Sequence, residues 1–258
     1  MPYQQNRGGS PVRIYIASNK LVPFPDNPAY QPVIVGQLAH VVPRTVVTDA
    51  CGDNISRLNP YYCEMTALYW AWKNDDLPPY VGLAHYRRYL RSERAQGTKD
   101  FHAILQGEEA VADLQHADII LPKAWKVDEP SIAANYAHYH SGDDLMVLAG
   151  LLDEQYPAYV ADFTTFMSGQ EIYPCNIFVT RREIFCDYMA WLFPILREVE
   201  RRVGGFADRD SYQRRAAGFL AERLLNVYVR HEHLRVKERG LVVVDGLSLP
   251  NSGSMGKG

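Results

Sequence analysis

The sequence has few cysteines and none of the spacings that hold a metal ion. Its 258 residues include four, Cys51, Cys63, Cys175 and Cys186, and no two of them form a Cys-x-x-Cys pair. No histidine stands at a zinc-ligand spacing from any of them. We therefore expect reduced thiols in a cytosolic protein, rather than a disulfide framework or a zinc site.

Long apolar runs are also missing. The longest strongly apolar stretch, residues 145–152, is far shorter than the ~20 residues that span a bilayer. Residues 1–10 are polar and lack the apolar centre of a signal peptide. We therefore expect the protein to work in the cytoplasm, or on the inner face of the cell membrane.

Neither positive nor negative charge is in large excess. Twenty-seven Lys+Arg stand against 30 Asp+Glu, which gives a net charge of −3 and argues against a nucleic-acid-binding protein. A hydrophobic fraction of 47% excludes intrinsic disorder. The chain has no internal repeat, and its length suits a single domain with a sizeable core. We predict that this domain covers residues 12–249, with flexible tails at 1–11 and 250–258.

Strands and helices are predicted to alternate along the chain. The expected strands are 12–17, 30–37, 80–85, 117–122, 176–180 and 241–245, and the expected helices are 59–74, 131–155, 182–203 and 211–230. This alternation predicts an α/β fold with a mostly parallel central sheet flanked by helices. Ligands of such sheets bind beyond the carboxyl ends of the strands, here the loops 18–20, 85–88 and the residues near Pro122.

The cluster His85-Tyr86-Arg87-Arg88 directly follows a predicted strand. An arginine fork suits bidentate contact with a phosphate or a carboxylate. One arginine is expected to grip such an anion while the other pairs with an acidic neighbour. The alternative is a solvated basic strand end with no ligand.

Two other segments each allow two interpretations. The polar loop with Asp53, Asn54, Ser56 and Asn59 contains ordinary turn and cap residues, or groups that hydrogen-bond a nucleoside or a sugar. The segment 181–239 has more basic than acidic residues, and its first helix carries several aromatics. That helix packs into the core, or it makes a peripheral contact with an anionic membrane.

Several of these motifs together resemble a known family. The most specific are Asp53-Asn-Ile-Ser56, Cys63-Glu64-Met-Thr-Ala-Leu-Tyr-Trp-Ala-Trp-Lys-Asn74 and Gly82-Leu-Ala-His-Tyr-Arg-Arg-Tyr89. Shorter matches lie at 118–122, 176–178, 188–193 and 218–224. Over about residues 12–245 the chain is similar to domain-of-unknown-function family 4422. That family occurs in bacterial capsular and exopolysaccharide gene clusters, and its members are regarded as glycosyltransferases.

The resemblance implies a GT-A-like, nucleotide-sugar-binding fold and a hexosyltransferase-like activity. The expected substrates are a nucleotide-sugar donor, most simply a UDP-sugar, and a glycan or lipid-linked glycan acceptor. Two positions depart from the family pattern: Asn19 stands where the family often has histidine, and Ile177 stands where it often has methionine. The alternative function is a noncatalytic nucleotide- or carbohydrate-binding module.

Many GT-A enzymes hold a divalent metal with an Asp-x-Asp motif, which the corresponding stretch of this sequence lacks. The His-Tyr-Arg-Arg cluster stands there instead. Since the leaving diphosphate gains negative charge, a cationic group must stabilise it, and arginines can do part of that work. We expect no resident cofactor and no requirement for a divalent metal.

The candidate site residues follow from these segments. Donor binding is assigned to Ser18, Asn19, Lys20, Asp53, Asn54, Ser56, Asn59, His85, Tyr86, Arg87, Arg88, Asn176 and Arg223. A transferase also needs a carboxylate that faces the sugar, as base or as nucleophile. Glu222 ranks first, because it falls mid-helix on a face where Gly218 leaves room for a ligand. Glu64 ranks second, because a helix start by itself favours a negative charge.

Overall fold

The computed structural model describes residues 9–95, 97 and 99–244. Its strands are β1 (Val12–Ser18), β2 (Tyr30–Ile34), β3 (Tyr80–His85), β4 (Arg88–Leu90), β5 (Ile119–Pro122), β6 (Trp125–Lys126), β7 (Glu171–Ile172), β8 (Phe178–Arg181), β9 (Val236–Arg239) and β10 (Leu241–Val243). The helices are α1 (Asn59–Tyr62), α2 (Met65–Asn74), α3 (Gly107–Leu114), α4 (Ile132–Tyr139), α5 (Gly142–Gln155), α6 (Val160–Ser168), α7 (Arg182–Arg202) and α8 (Ala216–His231).

The central sheet is mixed but mostly parallel. Strands β2, β1, β3, β5 and β9 run in one direction, and β8 runs against them between β3 and β5. The short strands β4 and β10 extend the sheet beyond the end of β3. The pair β6 and β7 forms a separate ribbon. The predicted fold class is therefore confirmed, with β8 as the reversed strand.

The central strands are buried on both faces, as expected for a sheet between helical layers. In β1, Tyr15 and Ala17 face the larger core, where α2 and α4–α8 pack. Ile14 and Ile16 face the smaller core, which includes α3. The alternation along one strand thus supplies both sides of the fold.

Gly82, in the middle of β3, is explained by close approach of the neighbouring strand. A Cβ atom at this position would lie 2.5 Å from the Phe178 carbonyl oxygen and 2.9 Å from a Val179 methyl group. The backbone of β8 therefore fills the space that a side chain would need. This contact is with the sheet itself and not with a ligand.

We expect Gly82→Ala to lower the free energy of unfolding by about 1–3 kcal/mol, because the added methyl group overlaps a backbone that cannot move freely. Chemical denaturation measures the effect. The matched control is Gly150→Ala in α5, where no atom lies within 4 Å of the added Cβ. That variant should gain about 0.5–1 kcal/mol. Equal stability of Gly82→Ala and the unaltered protein would contradict the packing argument.

Three predicted helices differ from the structure. The helix expected over 59–74 is broken between α1 and α2, because Cys63 has a positive φ of 50°. The segment 131–155 is two helices, separated by the extended backbone of His140. Helix α8 begins at Ala216, and a single 3-10 turn, Gln213–Arg215, precedes it.

The aromatic side chains of α7 belong to the core. Phe185, Tyr188 and Phe193 are buried together with Leu192, and Trp191 is half-buried against Tyr188 and Tyr228. The core-packing interpretation of this helix is therefore correct, and these rings are not available to a membrane surface. None of the helices in the described ranges is long and apolar enough to cross a bilayer.

Most of the predicted tails, residues 1–8 and 250–258, lie outside the described residues, as does the predicted domain end at 249. At the end of the predicted N-terminal tail, the Pro11 carbonyl accepts a hydrogen bond from the Tyr80 amide. The chain therefore joins the sheet at the residue before β1. The flexibility of the tails stays a prediction.

Candidate functional site

A cleft of about 1180 Å³ opens at the carboxyl edge of the parallel strands. Residues that follow β1, β2 and β3 line it, together with the residues before β8, which reach the same edge because β8 is antiparallel. The start of α1 and the N-terminal half of α8 form the opposite wall. The lining includes Asn19, Gly36, His40, Ser56, Arg57, Asn59, Cys63, Glu64, His85, Tyr86, Arg87, Arg88, Cys175, Asn176, Arg214, Arg215, Gly218, Phe219 and Glu222.

Unusual backbone conformations concentrate at this cleft. Outside glycine, a positive φ occurs in the described ranges at Cys63 (50°), Cys175 (75°), Asn176 (53°) and His233 (51°). The first three of these residues line the cleft. Such conformations cost free energy and persist only where the surroundings hold them, so they commonly mark functional sites.

Glu64 and His85 meet at the floor of the cleft. Their closest atoms, Glu64 Oε1 and His85 Nε2, are 3.6 Å apart, and Asn176 Nδ2 donates a hydrogen bond of 2.8 Å to the same Glu64 oxygen. Burial alone raises the pKa of Glu64, but His85 and Asn176 lower it more, so the net pKa is below its ordinary value. Glu64 is therefore a carboxylate at neutral pH.

Polar atoms without partners surround this carboxylate. Asn176 Oδ1 and His85 Nε2 are buried and form no hydrogen bond within the described residues. Buried polar groups in native structures are normally paired. Glu64, His85 and Asn176 thus lie together with hydrogen-bonding capacity that the described residues leave unused.

Glu222 lies on the face of α8 that lines the cleft, and two protein groups hold its carboxylate. The Cys175 amide donates a hydrogen bond to Oε1, and the Arg223 guanidinium lies 2.6 Å from Oε2. Arg223 is itself buried and lies 5.1 Å over the ring of Tyr136. The left-handed backbone at Cys175 thus aims an amide at the carboxylate and fixes its direction.

The premise that Gly218 leaves room for a ligand beside Glu222 is wrong. A Cβ atom on Gly218 would lie 3.1 Å from Cys63 Sγ and 3.2 Å from Cys63 Cβ. The glycine therefore allows α8 to approach the chain break between α1 and α2. Glu222 stays a candidate because it lines the cleft, and not because of this glycine.

Arginines dominate the charge of the cleft. Arg57, Arg87, Arg88, Arg214 and Arg215 all line it, and only Glu64 and Glu222 oppose them. Over the described ranges, the first four form no ion pair and no side-chain hydrogen bond, while Arg215 donates to Cys63 Sγ at 3.3 Å. Such unpaired guanidinium groups favour an anionic ligand.

The His-Tyr-Arg-Arg cluster is a tight turn between β3 and β4. His85 and Arg88 face each other across the two strands, and Tyr86 and Arg87 form the turn. Because of this geometry both arginines line the cleft. The expectation that one of them pairs with an acidic neighbour is wrong.

The two cleft cysteines are not nucleophiles. Burial is the main cause that raises the pKa of Cys63 to about 11 and that of Cys175 to about 12. Both side chains are therefore thiols at neutral pH, and a thiol is a poor nucleophile. Their backbone positions matter more than their sulfur atoms.

Several predicted donor-binding residues do not line the cleft. Asp53 and Asn54 form a surface turn that Asn74 ties to α2 through hydrogen bonds of 2.9 Å and 2.7 Å to the Asp53 backbone. Ser18 is buried and closes a turn with Lys20, which is exposed. Arg223 does not line the cleft and instead holds the Glu222 carboxylate. Likewise, residues around Pro122 are absent from the lining, since β5 ends beside β9.

Sequence reasoning missed other lining residues, notably His40, Arg57, Cys175, Arg214, Arg215 and Phe219. His40 lies 3.2 Å from the Ser56 hydroxyl, across sixteen residues of chain. Phe219 shares the α8 face of Glu222 at a spacing of three residues, and Arg215 lies in the turn just before that helix. The helical spacing between Phe219 and Glu222 was the one available signal in the sequence for this part of the lining.

No group of three or more metal-ligating His, Cys, Asp or Glu side chains occurs in the part of the chain that the structure describes. The two cleft carboxylates are instead engaged by His85, Asn176, the Cys175 amide and Arg223. The polar chemistry of the cleft thus comes from arginines, amides and two separate carboxylates.

The model of the family described as Domain of unknown function (DUF4422) matches residues 13–233. This chain belongs to the DUF4422 family. The match contains every residue of the cleft, from Ala17 to Glu222. The family resemblance predicted from the Glu64 helix and the His85 cluster is therefore confirmed.

One solved structure similar to this DUF4422 chain is the WbbM bifunctional glycosyltransferase in its apo form. The likeness has a TM-score of 0.83 and 32% sequence identity, and it covers 92% of this chain. The chain spans 46% of the length of that protein. This likeness shows that the fold of the DUF4422 chain is that of one part of a larger glycosyltransferase.

A second solved structure, the mannosyltransferase Ktr4p from S. cerevisiae, has a TM-score of 0.32 and 12% identity over 90% of this chain and 69% of that one. A likeness at that level carries no argument about the DUF4422 chain. No curated protein matches the sequence.

Proposed function

We propose that this DUF4422 protein is a glycosyltransferase. It transfers a sugar from a nucleotide-sugar, taken to be a UDP-sugar, to a glycan or lipid-linked glycan during surface polysaccharide synthesis in the cytoplasm. Support comes from the likeness to WbbM, a bifunctional glycosyltransferase, of which this chain spans 46%. The acceptor and the pathway rest on the family resemblance alone.

The observation that carries the proposal is the arginine-lined cleft around two carboxylates at the carboxyl edge of the sheet. As the glycosidic bond breaks, the diphosphate leaving group gains negative charge. Guanidinium groups that line the cleft stabilise that charge through charge-assisted hydrogen bonds. The carboxylates supply the other group that the reaction needs, one that faces the sugar.

The two walls of the cleft have different roles in this proposal. Arg87 and Arg88, at the turn after β3, hold the donor diphosphate, and His85, Asn176 and Glu64 lie beside them to contact the donor sugar. Glu222 lies on α8, where its carboxylate accepts a hydrogen bond from the Cys175 amide, next to Asn176. There it takes the proton of the acceptor hydroxyl as that oxygen attacks the sugar, and the Cys175 amide and Arg223 keep it oriented.

The proposal assigns the charge stabilisation of a metal ion to the cleft arginines. A charge-assisted hydrogen bond contributes about 1.5–3 kcal/mol. Two or three of them therefore supply part of the stabilisation that a metal ion would give to the leaving diphosphate. Nucleotide binding should then be the same in EDTA and in Mn²⁺. A requirement for Mn²⁺ would contradict this part of the proposal and leave the choice of carboxylate ligands open.

The direct test measures thermal unfolding with UDP, GDP, a panel of UDP-sugars and uridine, each with EDTA and with Mn²⁺. A ligand at 100 times its Kd should raise the unfolding free energy by about 2.7 kcal/mol. UDP and one UDP-sugar should reach this value, and uridine, which lacks the diphosphate, should not. If no nucleotide stabilises the protein, the proposed function is wrong. Binding without any turnover would identify the noncatalytic module instead.

A further inference from the structure

The entrance of the cleft, on the α8 side, carries a wall of aromatic rings. Phe219 lines the cleft one helical turn before Glu222. The His140 ring stacks on Phe219 with 3.8 Å between centroids and 23° between planes. Tyr212 stacks on His140 at 5.6 Å and 22°, and its ring lies 5.2 Å from Phe219. Three rings from separate parts of the chain thus form one continuous surface.

Tyr212 is the exposed member of this wall. Its exposed fraction is 46%, whereas His140 and Phe219 are partly buried. Its neighbours Ser211 and Arg214 line the cleft, so Tyr212 lies at the entrance. An exposed aromatic ring loses hydrophobic stabilisation unless a ligand covers it.

The segment that carries Tyr212 is held firmly. Arg209 donates two hydrogen bonds of 2.7 Å to the buried carboxylate of Asp144. The Asp210 side chain accepts from the amides of Tyr212 and Gln213 at 2.8 Å and 2.9 Å, and Gln213 Nε2 donates to the Tyr139 carbonyl. These hydrogen bonds fix the backbone around Tyr212 and hold its ring in position.

The rings of this wall are uncharged, and the Arg215 guanidinium lies 5.3 Å from the Phe219 centroid. Burial, together with the nearby Arg223 and Arg215, lowers the pKa of His140 to about 4, so its imidazole is neutral at physiological pH. Flat apolar faces of this kind pack against the C–H face of a pyranose ring, while the hydroxyls at the ring edge remain free for polar partners.

We propose that Tyr212 and Phe219 form the acceptor subsite, in which a pyranose ring stacks on Tyr212 and presents its hydroxyl to Glu222. This inference rests on the proposed function, because it names the substrate of the same cleft. The acceptor then enters the cleft on the α8 side.

The test uses saturation-transfer NMR with methyl glycosides of glucose, galactose and mannose as probes, in the presence of UDP. At least one probe should give signals from its ring C–H protons. Tyr212→Ala should lower these signals about fivefold, because the stacking face is lost. Tyr212→Phe keeps the face and should keep the signals. The control is Tyr139→Ala, since Tyr139 is 50% exposed but stacks on His138 instead of Phe219.

Two results would overturn the inference. One is that none of the methyl glycosides binds to the unaltered protein. The other is equal binding by Tyr212→Ala and the unaltered protein. The UDP signals in the same samples test the proposed function separately. If glycoside binding depends on Tyr212 but the protein does not bind UDP, the sugar site is supported and the proposed transferase function is contradicted.

Discussion

Replacing Glu222 with glutamine is expected to lower the turnover number by ~10²-fold or more, because a glutamine cannot accept the proton of the acceptor hydroxyl. Nucleotide affinity should stay largely unchanged, since the proposal assigns the diphosphate to Arg87 and Arg88 and not to Glu222. Steady-state rates of nucleoside diphosphate release measure the first effect, and calorimetric titration with UDP measures the second.

The same variant should also be less stable. Arg223 is 5% exposed, and Glu222 is its ion-pair partner. A buried guanidinium left without its partner is destabilising. Thermal unfolding must therefore show that the variant is folded at the temperature of the assay, so that lost turnover is not lost protein.

Glu64→Gln is the matched comparison for this prediction. The glutamine oxygen still accepts the hydrogen bond from Asn176 Nδ2, so the local structure should persist. Glu64 lies beside the donor, and its loss should reduce turnover less than the loss of Glu222. Near-normal turnover in Glu222→Gln, together with an inactive Glu64→Gln, would reverse these roles.

Arg88→Ala should weaken UDP binding by about 10- to 100-fold, the loss of one charge-assisted hydrogen bond worth about 1.5–3 kcal/mol. Arg88 is half-buried in the cleft and has no protein partner in the described ranges. Arg87 is exposed and lies 5.3 Å from the Tyr86 ring centroid, so Arg87→Ala should have a smaller effect. Titration calorimetry measures both affinities.

Two controls make this prediction specific. Arg88→Lys keeps the charge but loses the planar fork, so it should recover part of the affinity. Arg201→Ala removes an exposed arginine that pairs with Glu198 and does not line the cleft, and it should bind UDP normally. If neither Arg87→Ala nor Arg88→Ala weakens binding in a folded protein, the diphosphate is held elsewhere.

The features that sequence reasoning predicted correctly depend on local patterns. The strand that ends at His85 is an apolar run followed by a charged turn, and the predicted bounds agree with β3. Helix α7 has a buried stripe at helical spacing, so its length was also predictable. The edge of the sheet where the site lies follows from the direction of the parallel strands.

The features that it missed depend on contacts between distant parts of the chain. Asp53 looked like a ligand-binding residue, but Asn74, twenty-one residues later, fixes its backbone into a surface turn. The amide of Cys175 reaches Glu222 only because its φ is positive, which no pattern around a cysteine indicates. The ring stack of His140, Tyr212 and Phe219 likewise joins segments that are far apart in sequence.

The release of nucleoside diphosphate from nucleotide-sugars tests the central claim most directly. The UDP-sugar that stabilises the protein most should be turned over, slowly with water and faster when a glycan acceptor is added. Glu222→Gln should bind that donor but release UDP more slowly, by ~10²-fold or more. Tight binding of the donor with no release of UDP, with or without any glycan, would contradict the account.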